Sequence, residues 1–203
     1  MCIDSIPNPY PTLHPVLRRH LLHLAHGSIT VRSLHRNDLP AWRRLCEQRH
    51  RGCAVDCGPD ADVQVFIGIQ RSRLQQDNDQ LLLGVFDHTS NDLLDQIGVR
   101  LQSSLRRSAE LQPFCSVHWH DPERFGHTLQ ALCPFLFEQV GLQRVYMMLP
   151  PQDEAGLATP LQALGFQNEG LLRDHHPGMH GWEDRHMYAL TAPVWRRRQR
   201  LPA

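Results

Sequence analysis

Lysine is missing from this 203-residue chain, whose 21 basic residues are all arginine, so it offers no side-chain amine to acylation. A GC-rich genome produces the same bias. Net charge is missing too: 21 acidic residues balance the 21 arginines, which argues against a dedicated nucleic-acid binder. The local exception is "RRRQR" at 196–200, read as a solvated basic tail. No apolar run approaches membrane-spanning length. Near the start, "HPVLRRHLLHLAH" is too broken by Arg and His to be a signal-peptide core and lacks a small-residue cleavage site. The expectation is therefore a cytoplasmic protein without a membrane partner. The six cysteines, at 2, 46, 53, 57, 115 and 133, form no regular framework, so free thiols are expected. Cys46, His50, Cys53 and Cys57 are of zinc-ligand type, but their spacing matches none of the usual structural pairs, and no metal is expected. Cys115 and Cys133 fall in a strand and on an apolar helix face, where cysteine acts as a small hydrophobe.

With 41% hydrophobic residues, the chain can build one core. A proline-rich extension, residues 1–28, leads into a helix-like stretch from Val16 to Ala25. "SITVRSL" reads as a strand, and Asn37 or Asp38 can cap a helix carrying Leu39, Trp42 and Leu45. "DADVQVFIGIQRSRLQ" fits a second helix through Val63, Phe66, Ile67 and Leu74. "LLLGVFD" and "DQIGVRLQS" form a hairpin over the turn "HTSND". "FCSVHW" reads as a strand, followed by a polar loop and then a helix with Leu129, Leu132, Cys133, Leu136 and Val140 on one face and Gly141 at its C-cap. "RVYMML" is the next strand. "DEAGLATPLQAL" is a helix that Pro160 should shorten or kink, and "GFQNEGLLRD" and "WEDRHMYAL" are the closing strands. The order β-α-α-β-β-β-α-β-α-β-β predicts an α/β (α+β) domain, a mixed sheet flanked by helices, over residues 29–195, with 196–203 as the tail.

The loop "HDPERFGHT", 120–128, stands between a strand and a helix. In such a unit the first backbone N–H groups of the helix lack intrahelical partners and carry the positive end of the helix dipole. Gly126 lets the backbone come close to a ligand. The place suits an anion; an ordinary crossover loop has the same outline.

Four stretches carry a family resemblance: "ITVRSLHRNDLPAW", "DPERFGHTLQALCPFLFEQVGLQRV", "LGFQNEGLLRD" and "GWEDRHMYAL" with Trp195 soon after. Their order and spacing resemble the GNAT superfamily of acyl-CoA N-acyltransferases, in its ribosomal-protein N-terminal alanine/serine acetyltransferase branch. The resemblance implies a mixed, mostly antiparallel sheet whose fourth and fifth strands splay apart. It implies acetyl-CoA as acyl donor, no metal, and a primary amine as acceptor: a protein N-terminus, or alternatively a small-molecule amine such as an antibiotic or polyamine. A homodimer is compatible with it, and so is a non-catalytic binding or regulatory module on the same fold.

Matched to the family's Gln/Arg-x-x-Gly-x-Gly/Ala loop, the cradle for the coenzyme phosphates runs Glu123, Arg124, Phe125, Gly126, His127, Thr128, with the backbone N–H groups of Arg124 to Thr128 as donors. Glu123 and Thr128 depart from the usual residues. Ser116, Val117, His118 and Trp119 match the strand edge that pairs with the pantetheine amides, and Asp153 stands where relatives carry a coenzyme-contacting Asn. The reaction needs a base to take a proton from the acceptor ammonium. Glu110, His118 and His120 are the candidates. Leu161 replaces the tyrosine acid many members carry.

Overall fold

A computed structural model describes residues 22–47, 80–103, 107–113, 121–178 and 181–200. Eight strands form one sheet in the order β1-β2-β3-β4-β5-β6-β8-β7. They are β1 (His23–His26), β2 (Ile29–Ser33), β3 (Gln80–Asp87), β4 (Leu93–Ser103), β5 (Ser108–Pro113), β6 (Arg144–Leu149), β7 (Gln167–Gly178) and β8 (Gly181–Thr191). The helices are α1 (Leu39–Glu47), α2 (Pro122–Pro134), α3 (Pro151–Leu164) and α4 (Ala192–Gln199). A π-helical turn, Phe135–Gln139, extends α2 and ends at Gly141, whose φ of 76° is the left-handed C-terminal conformation expected there.

Alternation along the strands gives the sheet two unlike faces. Val145, Met147 and Leu149 of β6 and Tyr188 and Leu190 of β8 point to the side covered by α2 and α3. There they meet Phe125, Leu129, Leu132, Leu157 and Leu161 in the main core. Each large apolar side chain buried in this way contributes about 1.5–3 kcal/mol relative to exposure, so this layer dominates folding. Trp195 joins it from α4, its ring 5.6 Å from that of Phe137 and nearly parallel. On the other face, Trp42 of α1 donates to Gln96 Oε1 at 2.7 Å, and Leu34, Leu39, Trp42 and Phe86 form a second, smaller cluster.

The hairpin of β3 and β4 sits where its turn residues indicate. Asp87 Oδ1 accepts the backbone N–H groups of Thr89 and Ser90, both at 2.9 Å, and Asn91 takes the left-handed conformation with φ 58°.

Several sequence expectations are corrected. Residues 23–25, placed in a helix-like stretch, belong to β1, which pairs antiparallel with β2 from His23↔Arg32 to His26↔Ile29. The turn between them needs Gly27: its φ is 54°, and an added Cβ would lie 2.6 Å from the His127 ring. Helix α1 has no side-chain cap of its own at Asn37 or Asp38. A 3-10 turn, Arg36–Asp38, precedes it, and Asp38 reaches back to accept from His35 N at 2.7 Å. Pro160 does not shorten α3, which runs to Leu164 and ends on Gly165 with φ 96°. Part of the expected tail is helix, with Arg198 of α4 donating to the Ala163 carbonyl. The stretch "DADVQVFIGIQRSRLQ" lies outside the described residues, as do the zinc-type positions His50, Cys53 and Cys57. Cys133 is a buried free thiol whose pKa burial pushes up to about 12, as expected of a cysteine serving as a hydrophobe.

Arg32 and Asp38 join β2 to the turn before α1. Arg32 Nη1 and Nη2 donate to Asp38 Oδ2 at 2.7 Å and Oδ1 at 2.9 Å, over the Phe86 ring, 3.5 Å from its centroid. Burial pulls the Asp38 pKa up, but the Arg32 hydrogen bond, the His35 N–H and both neighbours' charges outweigh it and hold it below the ordinary value of 3.8. A carboxylate depressed on folding contributes stability that is complete above its unfolded pKa and disappears as pH falls through the lower folded one. We therefore expect Asp38→Asn to cost on the order of 2 kcal/mol at neutral pH. Urea titrations from pH 7 to pH 2 should show that cost shrinking below about pH 4.

Candidate functional site: the parted strands and the start of α2

All strand pairs are antiparallel except one. Strands β5 and β6 run parallel and pair from Ser108↔Arg144 to Leu111↔Met147. Both continue past that point, β5 to Pro113 and β6 to Leu149, without pairing with each other. Meanwhile β5 stays on β4 as far as Ile97↔Pro113, and β6 stays on β8 as far as Leu149↔His186. The expected splay is thus present and opens directly after Leu111 and Met147. Strand β5 is "SAELQP"; the strand expected at "FCSVHW" lies outside the described residues. So do Ser116, Val117, His118, Trp119 and His120, on which the structure gives no geometry.

The expected phosphate loop is corrected to helix. Glu123 to Thr128 form the first turns of α2, because Asp121 is its N-cap and Pro122 its first residue. The N-terminal donors are spoken for. Pro122 has none, Asp121 Oδ1 accepts from Glu123 N at 3.1 Å and Arg124 N at 3.2 Å, and Phe125 N bonds the Asp121 carbonyl at 3.1 Å. A carboxylate of the chain itself stands where an outside anion would bind. Asp121 Oδ2 also lies 3.2 Å from Arg124 Nε, so the side chain proposed to carry phosphate charge is held by the same group.

The side chains of this turn divide by helical position. Phe125 and Thr128 are buried toward the sheet, and Thr128 Oγ1 donates to the Arg124 carbonyl at 2.9 Å, so the threonine does not obstruct the helix start. With Arg124, Ile29, Val85, Leu94 and Asp95 they line a small cleft. His127 rests on the β1–β2 turn, its Nδ1 3.1 Å from Ser28 Oγ. Gly126 faces α3: a Cβ there would meet Pro160 Cβ at 3.6 Å, an ordinary contact. Glu123 is exposed. No side chain caps α3, which starts at the end of β6; Asp153 lies in its first turn.

Glu110 is nine-tenths buried on the sheet face opposite α2, level with Arg100 of β4 and Tyr146 of β6. Burial first, then the Glu110 charge, raises the Tyr146 pKa, while Arg100 and Arg144 oppose the shift. Tyr146 thus carries its proton at neutral pH. Sequence reasoning missed it, since nothing in "RVYMML" marks one residue as functional. No group of three or more metal-ligating side chains occurs among the described residues, and no helix among them is long and apolar enough to cross a membrane.

No protein-family model matches the chain, and no curated protein matches it significantly. Solved structures do. A putative ribosomal-protein-serine acetyltransferase from Vibrio cholerae superposes with a TM-score of 0.67 at 15% identity, covering 84% of this chain and 97% of that one. Spermidine N-acetyltransferase from Vibrio cholerae, in a dodecameric structure, gives 0.67 at 17%, covering 84% and 98%. Mycobacterium smegmatis RimJ, in complex with CoA-disulfide, gives 0.67 at 17%, covering 85% and 87%. A Bacillus anthracis acetyltransferase described as GNAT family gives 0.69 at 14%, covering 85% and 99%. With its splayed parallel pair and superposition over 84–85% of its length on these structures, the chain has the GNAT acetyltransferase fold.

Proposed function

We propose that this protein is an acetyl-CoA-dependent N-acetyltransferase of the RimJ/RimL-like type, acting on a primary amine, with a protein N-terminus as the first acceptor to try. The observation that carries this reading is the parting of β5 and β6 in a sheet otherwise zipped on both sides, in a fold shared with RimJ, whose structure holds a CoA derivative. The β5 and β6 edges that stop pairing with each other after Leu111 and Met147 suit a ligand with pantetheine's amides. The acceptor nitrogen attacks the thioester carbon, the carbon–sulfur bond breaks, the amine's proton goes to a base and the thiolate leaves.

Glu110 is our first choice of base, with His118 and His120 as the others. Its burial beside Tyr146, next to the last paired residues, supports that choice. We expect Glu110→Gln to lower kcat by about 10²–10⁴ and to remove the acid limb of the kcat/KM pH profile. If Glu110→Gln, His118→Gln and His120→Gln each left turnover and pH profile unchanged, the base assignment would be discarded.

For the donor, phosphates would lie at the start of α2, beside Arg124, Gly126, His127 and the first turn of α3 with Asp153. Asp121 must then yield to them. Calorimetry should find coenzyme A binding at least tenfold more tightly than pantetheine, which has no phosphate. Arg124→Ala should cost about 1–3 kcal/mol. Asp121→Ser keeps a capping oxygen but removes a charge worth about 1 kcal/mol at contact distance in water, so it should tighten coenzyme A about fivefold. Equal affinity for coenzyme A and pantetheine would overturn the phosphate assignment. Coenzyme binding without transfer to any amine would favour the non-catalytic module.

A further inference from the structure

On the transferase reading the acceptor approaches the face of the sheet that carries Glu110, and the described carboxylates of that face lie beside arginines. Glu110 sits directly across from Arg100. Glu169 of β7 takes both guanidinium nitrogens of Arg144, Nη1 to Oε1 at 2.8 Å and Nη2 to Oε2, which raises the Arg144 pKa and lowers that of Glu169. Glu183 accepts from Arg185 Nη1 at 2.9 Å. Strand alternation puts Arg144, Tyr146 and Met148 of β6 on this face, with Met187 and Arg185 of β8. Arg144 Nη2 lies 3.5 Å from Met187 Sδ, so the pair stands at the edge of the methionines. Between the charged pairs the floor is Gly98, Gln112, Tyr146, Met148, Met187 and Ala189.

We propose that this face selects an acceptor with one positive charge, its reacting amine, next to an uncharged or apolar group, and rejects polyamines and other multiply cationic amines. The inference rests on the transferase reading above and narrows its acceptor class. A polycation needs a carboxylate for each ammonium it desolvates, and each carboxylate described on this face has an arginine beside it. Among the described residues a second ammonium would meet Arg144 or Arg185 without a free counter-charge, a repulsion that discriminates without any contact having to be built. The methionines are flexible and polarizable, suited to apolar groups of varied shape.

The test uses the full chain with acetyl-CoA and three acceptors: the peptide amide Ser-Met-Gly, its analogue Ser-Arg-Gly, and spermidine. Arginine gives the analogue a second cation that cannot itself be acetylated. We expect kcat/KM at least tenfold higher for the neutral peptide than for either of the others. Arg144→Gln, at a part-exposed position, leaves Glu169 unpaired and should raise the dication-to-neutral ratio at least fivefold. Glu169→Gln, which leaves Arg144 unpaired, should lower it. Spermidine or Ser-Arg-Gly used as well as the neutral peptide, or a ratio indifferent to both substitutions, overturns the inference while the transferase reading stands. Acetylation of none of the three, with coenzyme bound, overturns both.

Discussion

One parallel pair governs the molecule. Two parallel neighbours cannot be joined by a tight turn, so the chain leaving β5 must cross a face of the sheet before returning as β6, and α2 makes that crossing. The start of α2 therefore lies at the end of the sheet where β5 finishes. Because β6 runs in the same direction and α3 follows it directly, the start of α3 lies there too. The two strands stop pairing at that same end, after Leu111 and Met147, because each is drawn toward an antiparallel neighbour, β5 by β4 and β6 by β8. A split in the sheet and two helix starts are thus brought together by topology alone. That is a setting for an elongated ligand with amides along one part and phosphates at another.

The start of α2 shows a conflict between stability and binding. A helix N-terminus left bare costs about what a capping residue restores, roughly 1 kcal/mol, and Asp121 supplies that by bonding two N–H groups. The same carboxylate repels an incoming phosphate and engages Arg124. A phosphate offers more charge and more acceptor oxygens than one carboxylate, so it can displace Asp121, but only with the loss of an existing bond set. On the proposed reading, coenzyme affinity at this helix would be a difference between two anions, set in part by the residue before Pro122.

Local chemistry made some elements legible and left others to tertiary structure. The β3–β4 hairpin could be read because its turn chemistry, Asp87 to Asn91, and its apolar strands agree. The splay was expected only through the family resemblance. The strand "HLAH" reads poorly because it has no β-branched residue and continues a helix-like pattern; β2 decides it, through a turn that only Gly27 accommodates against His127. "SAELQP" likewise contains weak strand formers and a proline, and is held by neighbours on both sides. The helical start at 122 was signalled by Asp121-Pro122, an N-cap followed by the residue most at home in a first turn, but a loop motif was laid over it. Pro160 was overruled because α3 loses one hydrogen bond there and keeps its packing on α2. No spacing in the sequence brings Glu169 to Arg144, 25 residues away.

The absence of lysine acquires a physical meaning on the acceptor face. Arginine presents a planar fork that can hold both oxygens of a carboxylate, whereas lysine presents a point charge that leaves one oxygen for something else. Where the geometry of this chain is described, Arg144 holds Glu169 and Arg32 holds Asp38 in this two-oxygen manner. Carboxylates tied in that way are poor receptors for a second ammonium. Glu110 differs in that Arg100 faces it across the strands without the two-oxygen fork that Arg144 makes to Glu169. The proposed single-charge preference and the proposal of Glu110 as base both rest on how arginines lie against the carboxylates of this face.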